Sequence, residues 1–409
     1  MKLCLSILWS VASVLLIYSA IKYSYQYHFI SLNIKAIINA LKSKSKNNIT
    51  PLSSLCLSLA AKIGVGSLSG IAIAIYFGGV GTIFWLIVIS VFLAINTYIE
   101  CELGIKYRIK IGDRYLGGPS YYINKCLNKK YLSYLYSFIV ITSYSILFLS
   151  IQTNTIISTI SSFNISKCYS TIILFIIVLI IILKGIKGIS KVNTIIVPIM
   201  LGIYLIIGIY ITINNLNILP NIIINTIKGA FNLKSIIPVF IIGLERAIFI
   251  TETSIGTSAI AASTCDNDSQ SQGLLEVLGI YITIFIVALT TYIIIVTSDY
   301  EAINFISKNG IDLVIYAFSY HFGTKGIMII SLITILFAFS TIISSYYFGE
   351  SNLIFISKNK IIKLIYQIIF LSIILLSIYF KPLLLWHLTD YALALLIIIN
   401  ISSILKIKK

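Results

Sequence analysis

The sequence predicts an all-α integral membrane protein: about eleven transmembrane helices, built as inverted five-helix repeats with two discontinuous helices. Three observations carry this expectation. The 409 residues are 58% hydrophobic and 11% charged, with a mean hydropathy of +1.01. That is more apolar surface than a soluble domain hides. Apolar runs long enough to cross roughly 30 Å of hydrocarbon recur along the chain. Glycines and polar residues then interrupt one run near the start and another past the middle.

The runs fall near 4–21, 51–76, 80–104, 132–160, 168–184, 193–214, 236–263, 273–298, 325–349, 361–380 and 384–405. Lys2 before the first run and Tyr18-Ser19-Ala20 at its end also fit a cleavable signal sequence. Read as a helix, that run makes residues 1–50 an extra N-terminal helix and linker. Residues 51–214 and 236–405 are then the two repeats of a single domain, 1–409. The two interrupted runs open the repeats, which is the spacing that inverted repeats produce. No sequence identity links the halves.

The formal charge of +17 does not gather on one face or helix, so a nucleic-acid partner is not expected. The lysines and arginines sit in short loops instead. Lys106, Arg108, Lys110, Arg114, Lys125, Lys129 and Lys130 share a side by alternation with Lys22, Lys35, Lys42, Lys44 and Lys46. Lys184, Lys187, Lys191, Lys358, Lys360, Lys363, Lys406, Lys408 and Lys409 join them. The opposite loops hold Lys167, Lys228, Lys234 and Lys381, with Lys308 and Lys325 beside Asp299, Glu301 and Asp312. The positive-inside rule therefore expects an inner-membrane protein with its N-terminus outside and its C-terminus in the cytoplasm, Lys2 arguing weakly the other way. Cys4, Cys56, Cys101, Cys126, Cys168 and Cys265 show no paired spacing and read as small apolar fillers.

Glycine costs about 1 kcal/mol against alanine inside a helix, and an unpaired backbone group in hydrocarbon costs several more. Gly64-Val65-Gly66-Ser67-Leu68-Ser69-Gly70 nonetheless lies between apolar stretches. Such a break is tolerated where it lines a cavity, and broken helices at mid-membrane hold substrate and coupling ion in secondary transporters. The second interruption carries Glu245, Arg246 and Glu252 with a cluster from Thr251 to Ser258. A pair between Arg246 and either glutamate is expected, the alternative being an ordinary loop between spans. Glu100 and Glu102 with Lys106 and Arg108 read as an interfacial ion-pair network.

These residues resemble the alanine or glycine:cation symporter family, which has the leucine-transporter-type fold. The resemblance runs from about residue 50 to 390 in family order. It begins with Gly64-Val65-Gly66-Ser67, Gly70, Gly78-Gly79-Val80-Gly81-Thr82-Ile83-Phe84-Trp85, Glu100 and Lys106-Tyr107-Arg108. It continues through Gly117-Gly118-Pro119-Ser120-Tyr121-Tyr122-Ile123, Gln152-Thr153-Asn154-Thr155 and Arg246 to Ser258, then Phe337 to Ile342 and Tyr347-Phe348-Gly349-Glu350. The departures fall in the site itself. Val65 and Ser67 replace Thr and Asn, Ile250 to Ser254 replaces S-N-E-A-G, Ser344-Ser345 replaces Gly-Trp, and Lys62 stands where the family has a small residue.

The resemblance implies import of a small neutral amino acid, alanine or glycine, with sodium. A zwitterion needs donors for its carboxylate and acceptors for its ammonium. Gly64, Gly66 and Ser67 at a half-helix start would serve the first need. Thr251, Thr253, Ser254 and Gln152 would serve the second, Gln152 having an interhelical hydrogen bond as its plain alternative. Sodium takes hard oxygens. The family's geometry implies the Ser340 and Thr341 hydroxyls with the Ala60 and Ile63 carbonyls, whereas the bland reading has those hydroxyls bonding the preceding turn. Lys62 is a candidate substitute for the cation, which opens a sodium-independent route, proton-coupled or by exchange; drift with snorkelling is the alternative. His28, His321 and His387 form no metal site. No cofactor, transition metal, phosphate loop or nucleophile–base arrangement is expected, so catalysis has no support. A membrane sensor or a non-transporting relic is the competing class, and the length leaves no room for a soluble output domain.

Overall fold

The computed structural model describes residues 2–42, 49–299, 310–380 and 382–407. Lys44, Lys46, Glu301, Lys308, Lys381, Lys408 and Lys409, used above for orientation, lie outside the described residues. Helices dominate. They are α1 (Lys2–Gln26), α2 (Ile34–Ala40), α3 (Pro51–Lys62), α4 (Val65–Gly78), α5 (Thr82–Lys106), α6 (Pro119–Leu127) and α7 (Lys130–Thr142). A π-helical turn at Ser143–Phe148 joins α7 to α8 (Leu149–Ser161). Next come α9 (Lys167–Leu183), α10 (Gly185–Asn214), α11 (Leu219–Ala230), α12 (Ile236–Thr251), α13 (Thr257–Ala262) and α14 (Ser269–Ile282). A second π turn at Thr283–Ala288 leads to α15 (Leu289–Val296), followed by α16 (Ile311–Phe322), α17 (Thr324–Ile356), α18 (Lys360–Leu376) and α19 (Pro382–Ile407).

Eight helices among the described residues are long and apolar enough to cross a membrane, and the bent pair α3–α4 makes nine. The protein is therefore an all-α, multi-pass membrane protein. The other two expected spans form α9, of 17 residues, and the interrupted pair α12–α13. Three expectations are corrected. The 105–130 loop contains an antiparallel hairpin, β1 (Ile109–Ile111) with β2 (Arg114–Leu116), and α6. The loops expected between spans at 215–235 and 299–324 hold α11 and α16. Both are short, with apolar residues crowded on one side, which a window tuned to spanning length passes over.

The broken helices occupy the middle. The α12 and α13 helices pack on α5, α3 packs on α10 and α17, and α14 packs on α5. The α1 helix lies against α19 and α5, tied by Tyr23 Oη to the Ile404 carbonyl at 3.1 Å and Ser19 Oγ to Asn96 at 3.0 Å. On the periphery, Ile172, Ile176 and Ile180 of α9 and Ile361, Ile365 and Ile368 of α18 are exposed. Such apolar stripes suit a lipid-facing surface.

One end of the bundle collects the basic loops. Arg108 pairs with Asp266 at 3.1 Å, and Glu350 accepts Lys363 at 2.5 Å and Arg114 at 3.5 Å. A Cβ placed on Gly185 would lie 2.7 Å from Arg114 Nη2. The hairpin, the start of α10 and the α17–α18 junction are thus brought together. Two members of the expected interfacial network of Glu100 and Glu102 with Lys106 and Arg108 turn elsewhere: Arg108 pairs with Asp266, and Glu100 faces the interior. Glu100 is fully buried and accepts from Asn400 Nδ2 at 2.9 Å, while Glu102 accepts from Tyr27 Oη at 3.2 Å.

Candidate functional site

The α3 and α4 axes meet at 46° across Ile63–Gly64. Gly64 is extended (φ −104°, ψ −172°), a conformation open to any residue, so the reason for glycine is space. An added Cβ would meet Thr341 Oγ1 at 2.8 Å and Gln152 Nε2 at 2.9 Å. At Gly66 it would meet Phe249 Cε1 at 2.7 Å. Polar and aromatic side chains therefore press directly on the broken backbone. Gln152 Oε1 accepts the Val65 N–H at 3.3 Å, and Ser67 Oγ returns to the Gly64 carbonyl at 2.7 Å. Orphan backbone groups of the half-helices thus find side-chain partners, as hydrocarbon demands.

Lys62, Gly64, Gly66, Ser67 and Gln152 line one cavity with Ala61, Phe148, Ile151, Phe249, Glu252 and Trp386. Its volume is about 10 Å³, the space of roughly one water. Phe249 and Trp386, 5.6 Å apart, close it. A cavity of about 340 Å³ touches Phe249 from beyond, and one of about 280 Å³ touches Trp386. Both lie toward the end of the bundle opposite the basic loops, since they include Leu5 at the start of α1 and Lys167 at the start of α9.

The second break runs from Glu252 to Gly256. Gly256 sits at φ 103°, but Glu252 (φ 47°) and Ser254 (φ 67°) are left-handed without being glycine. Each such residue costs about 1–2 kcal/mol. Strain of this kind persists where surroundings over-determine the backbone. Asn400 does so here: it donates to the Ser254 carbonyl at 2.8 Å and to Glu100, and it bonds Tyr122 Oη. Ser254 Oγ is buried with no partner. Ser254→Gly should therefore raise stability by about 1–2 kcal/mol, relieving the left-handed strain and removing an unpaired hydroxyl. Thermal unfolding in detergent reads this; an unchanged or lowered midpoint would refute it.

The remaining expected residues scatter. Thr251 bonds its own helix at Ala247 O, 2.7 Å away. Thr253 faces α5, meeting Thr97 Oγ1 at 2.7 Å and Leu93 O at 3.3 Å. Neither these two nor Ser254 lines the cavity. Thr341 Oγ1 donates to Ala60 O at 2.8 Å and Phe337 O at 2.9 Å, next to the break. Ser340 Oγ donates to the same Phe337 O at 3.0 Å and lies 3.8 Å from Met200 Sδ, so of the two hydroxyls only Thr341 also reaches α3. Ile63 is buried at the break itself.

Lys62 reaches across to α14. Its Nζ donates to Ser58 Oγ at 2.9 Å and meets Glu276 Oε2 at 3.3 Å, both charged side chains fully buried. Sequence reasoning missed Glu276, although a lone carboxylate in the apolar run 273–298 is itself a signal. It missed Trp386 and Phe148 too, because an aromatic in an apolar span carries no mark of facing a cavity. The pair expected between Arg246 and Glu245 or Glu252 is absent among the described residues. Glu252 accepts from Thr257 Oγ1 at 3.0 Å, and Arg246 lies over the Phe249 ring at 5.7 Å. Arg246 lies within α12 and Glu252 just past its end, and the two side chains meet different neighbours.

The sequence profile described as the sodium:alanine symporter family matches residues 1–409. This chain belongs to the sodium:alanine symporter family. Among similar family members, a probable sodium/glutamine symporter of Bacillus subtilis is 30% identical over 98% of this chain and 87% of its own length. An amino-acid carrier protein of the same organism is 28% identical over 89% of this chain and 79% of its own. A sodium/alanine symporter of Methanococcus maripaludis is 28% identical over 85% of this chain and 79% of its own. The family is one of transporters.

Proposed function

We propose that this protein carries a small neutral amino acid, alanine or glycine, across the cell inner membrane together with sodium, by alternating access. The observation that carries this reading is the cavity at the Gly64–Gly66 break, polar on one wall and closed by Phe148, Phe249 and Trp386. Glycine backbone, Ser67 and Gln152 would hold the carboxylate and Glu252 would face the ammonium. Three bulky aromatic walls favour a ligand with little side chain. Because the space equals about one water, loading requires Phe249 and Trp386 to move. The larger cavities beyond these two rings, against ion pairs at the opposite end, fit access from the lysine-poor side, which the positive-inside rule would place outside. Thr341 with the Ala60 carbonyl would contribute to the sodium site.

The test is uptake of labelled alanine into proteoliposomes under an inward sodium gradient, and again in choline, with unlabelled glycine and glutamine as competitors. Uptake that needs sodium, is competed by glycine and is weakly competed by glutamine is the expected result. Thr341→Val, which keeps shape and loses the hydroxyl, should raise the sodium concentration for half-maximal uptake about tenfold or more, a loss of roughly 1.4 kcal/mol. An unchanged sodium dependence in that variant would remove Thr341 from the site.

The Lys62–Glu276 pair favours a second reading. A fixed ammonium already sits in the broken helix, held by a buried carboxylate, and would serve as the internal cation of a sodium-independent carrier. Uptake that persists in choline would favour it. Absence of uptake for every amino acid tried would leave the non-transporting alternative.

A further inference from the structure

A charged cavity larger than the one at the broken backbone lies apart from it. It lies between α1, α12 and α19, measures about 340 Å³, and has Leu5, Trp9, Glu245, Arg246, Phe249 and Asp390 among its walls. We infer that it is a second amino-acid site, holding a zwitterion by its carboxylate on Arg246 and by its ammonium on Glu245 and Asp390. The inference rests on the transport reading above and adds a place where substrate is held before it passes Phe249.

Arg246 carries the argument. It lies inside an apolar helix, where an unpaired cation is costly. Yet its Nε is buried without a hydrogen-bond partner, and no ion pair joins it to Glu245 or Asp390 among the described residues. A guanidinium fork in that state fits a carboxylate bidentately. The choice of ligand follows from charge. A simple anion would meet two carboxylates, and a simple cation would meet the guanidinium. A zwitterion satisfies both, and Trp9 and Leu5 leave an apolar wall for its side chain. Phe249 then links the two sites physically, since it lines both cavities and lies under the guanidinium. Rotation of one ring would join them.

Equilibrium binding of labelled alanine to the purified full-length protein in lipid nanodiscs with saturating sodium tests this. Two sites per chain are expected. Arg246→Met should leave one, of unchanged affinity, and that retained site reports a folded protein. Leu5→Trp fills the cavity from α1 without touching a charge and should likewise leave one. Gln152→Leu, aimed at the central cavity, should leave the other. One site in the wild type, or two in both Arg246→Met and Leu5→Trp, overturns the inference and leaves the transport reading standing. No binding to the wild type overturns both.

Discussion

Lys62→Met should destabilise the protein by about 3–5 kcal/mol, the usual consequence of removing one member of a buried ion pair. The lysine and Glu276 are wholly enclosed, and Glu276 Oε1 has no other partner. Without the ammonium, the carboxylate is left unpaired among apolar helices. The double variant Lys62→Met/Glu276→Leu should recover most of the loss, because well-packed apolar residues often replace a buried pair without penalty. Thermal unfolding of both variants and the wild type in one detergent checks the expectation. A single variant as stable as the wild type would show that the pair is not the fixed cation inferred here. Transport by the stable double variant then separates roles: retained sodium-dependent uptake assigns the pair to structure, and lost sodium-independent uptake assigns it to coupling.

Gly64→Ala should cost at least tenfold in uptake while leaving the fold intact. The backbone there is compatible with alanine, so no conformational strain arises. The methyl group instead strikes Thr341 Oγ1 and Gln152 Nε2 at under 3 Å, displacing two side chains that hold the break. A tenfold loss corresponds to about 1.4 kcal/mol, a small demand for two displaced polar contacts. Normal uptake with a monodisperse, equally stable variant would sink the assignment of this cavity to substrate.

Individual residues show what was legible beforehand. Glycines at 64 and 66 within an apolar run can be explained only by a break, and the break is there. Lys62 likewise stands out in the sequence as a charge within an apolar run, a candidate substitute for the cation; the structure gives it a partner instead. The pairing itself is not legible in the sequence, because Glu276 lies more than two hundred positions away and its match depends on how α3 and α14 pack. Thr251 and Thr253 have the hydroxyls an ammonium needs, yet Thr251 bonds back to its own helix and Thr253 faces α5. Ser340 and Thr341 are neighbours in sequence, yet a helix turns about 100° per residue, so only Thr341 reaches Ala60.

The sequence by itself determined the class of molecule, the helical breaks and the family. Each of these depends on composition and local order, which hydrocarbon enforces residue by residue. Tertiary structure alone decided which side chains share a cavity, which carboxylate receives Lys62, and that Phe249 and Trp386 separate a space of one water from larger chambers beyond. These are relations between distant helices, fixed by packing angles and side-chain direction, and no local pattern encodes them.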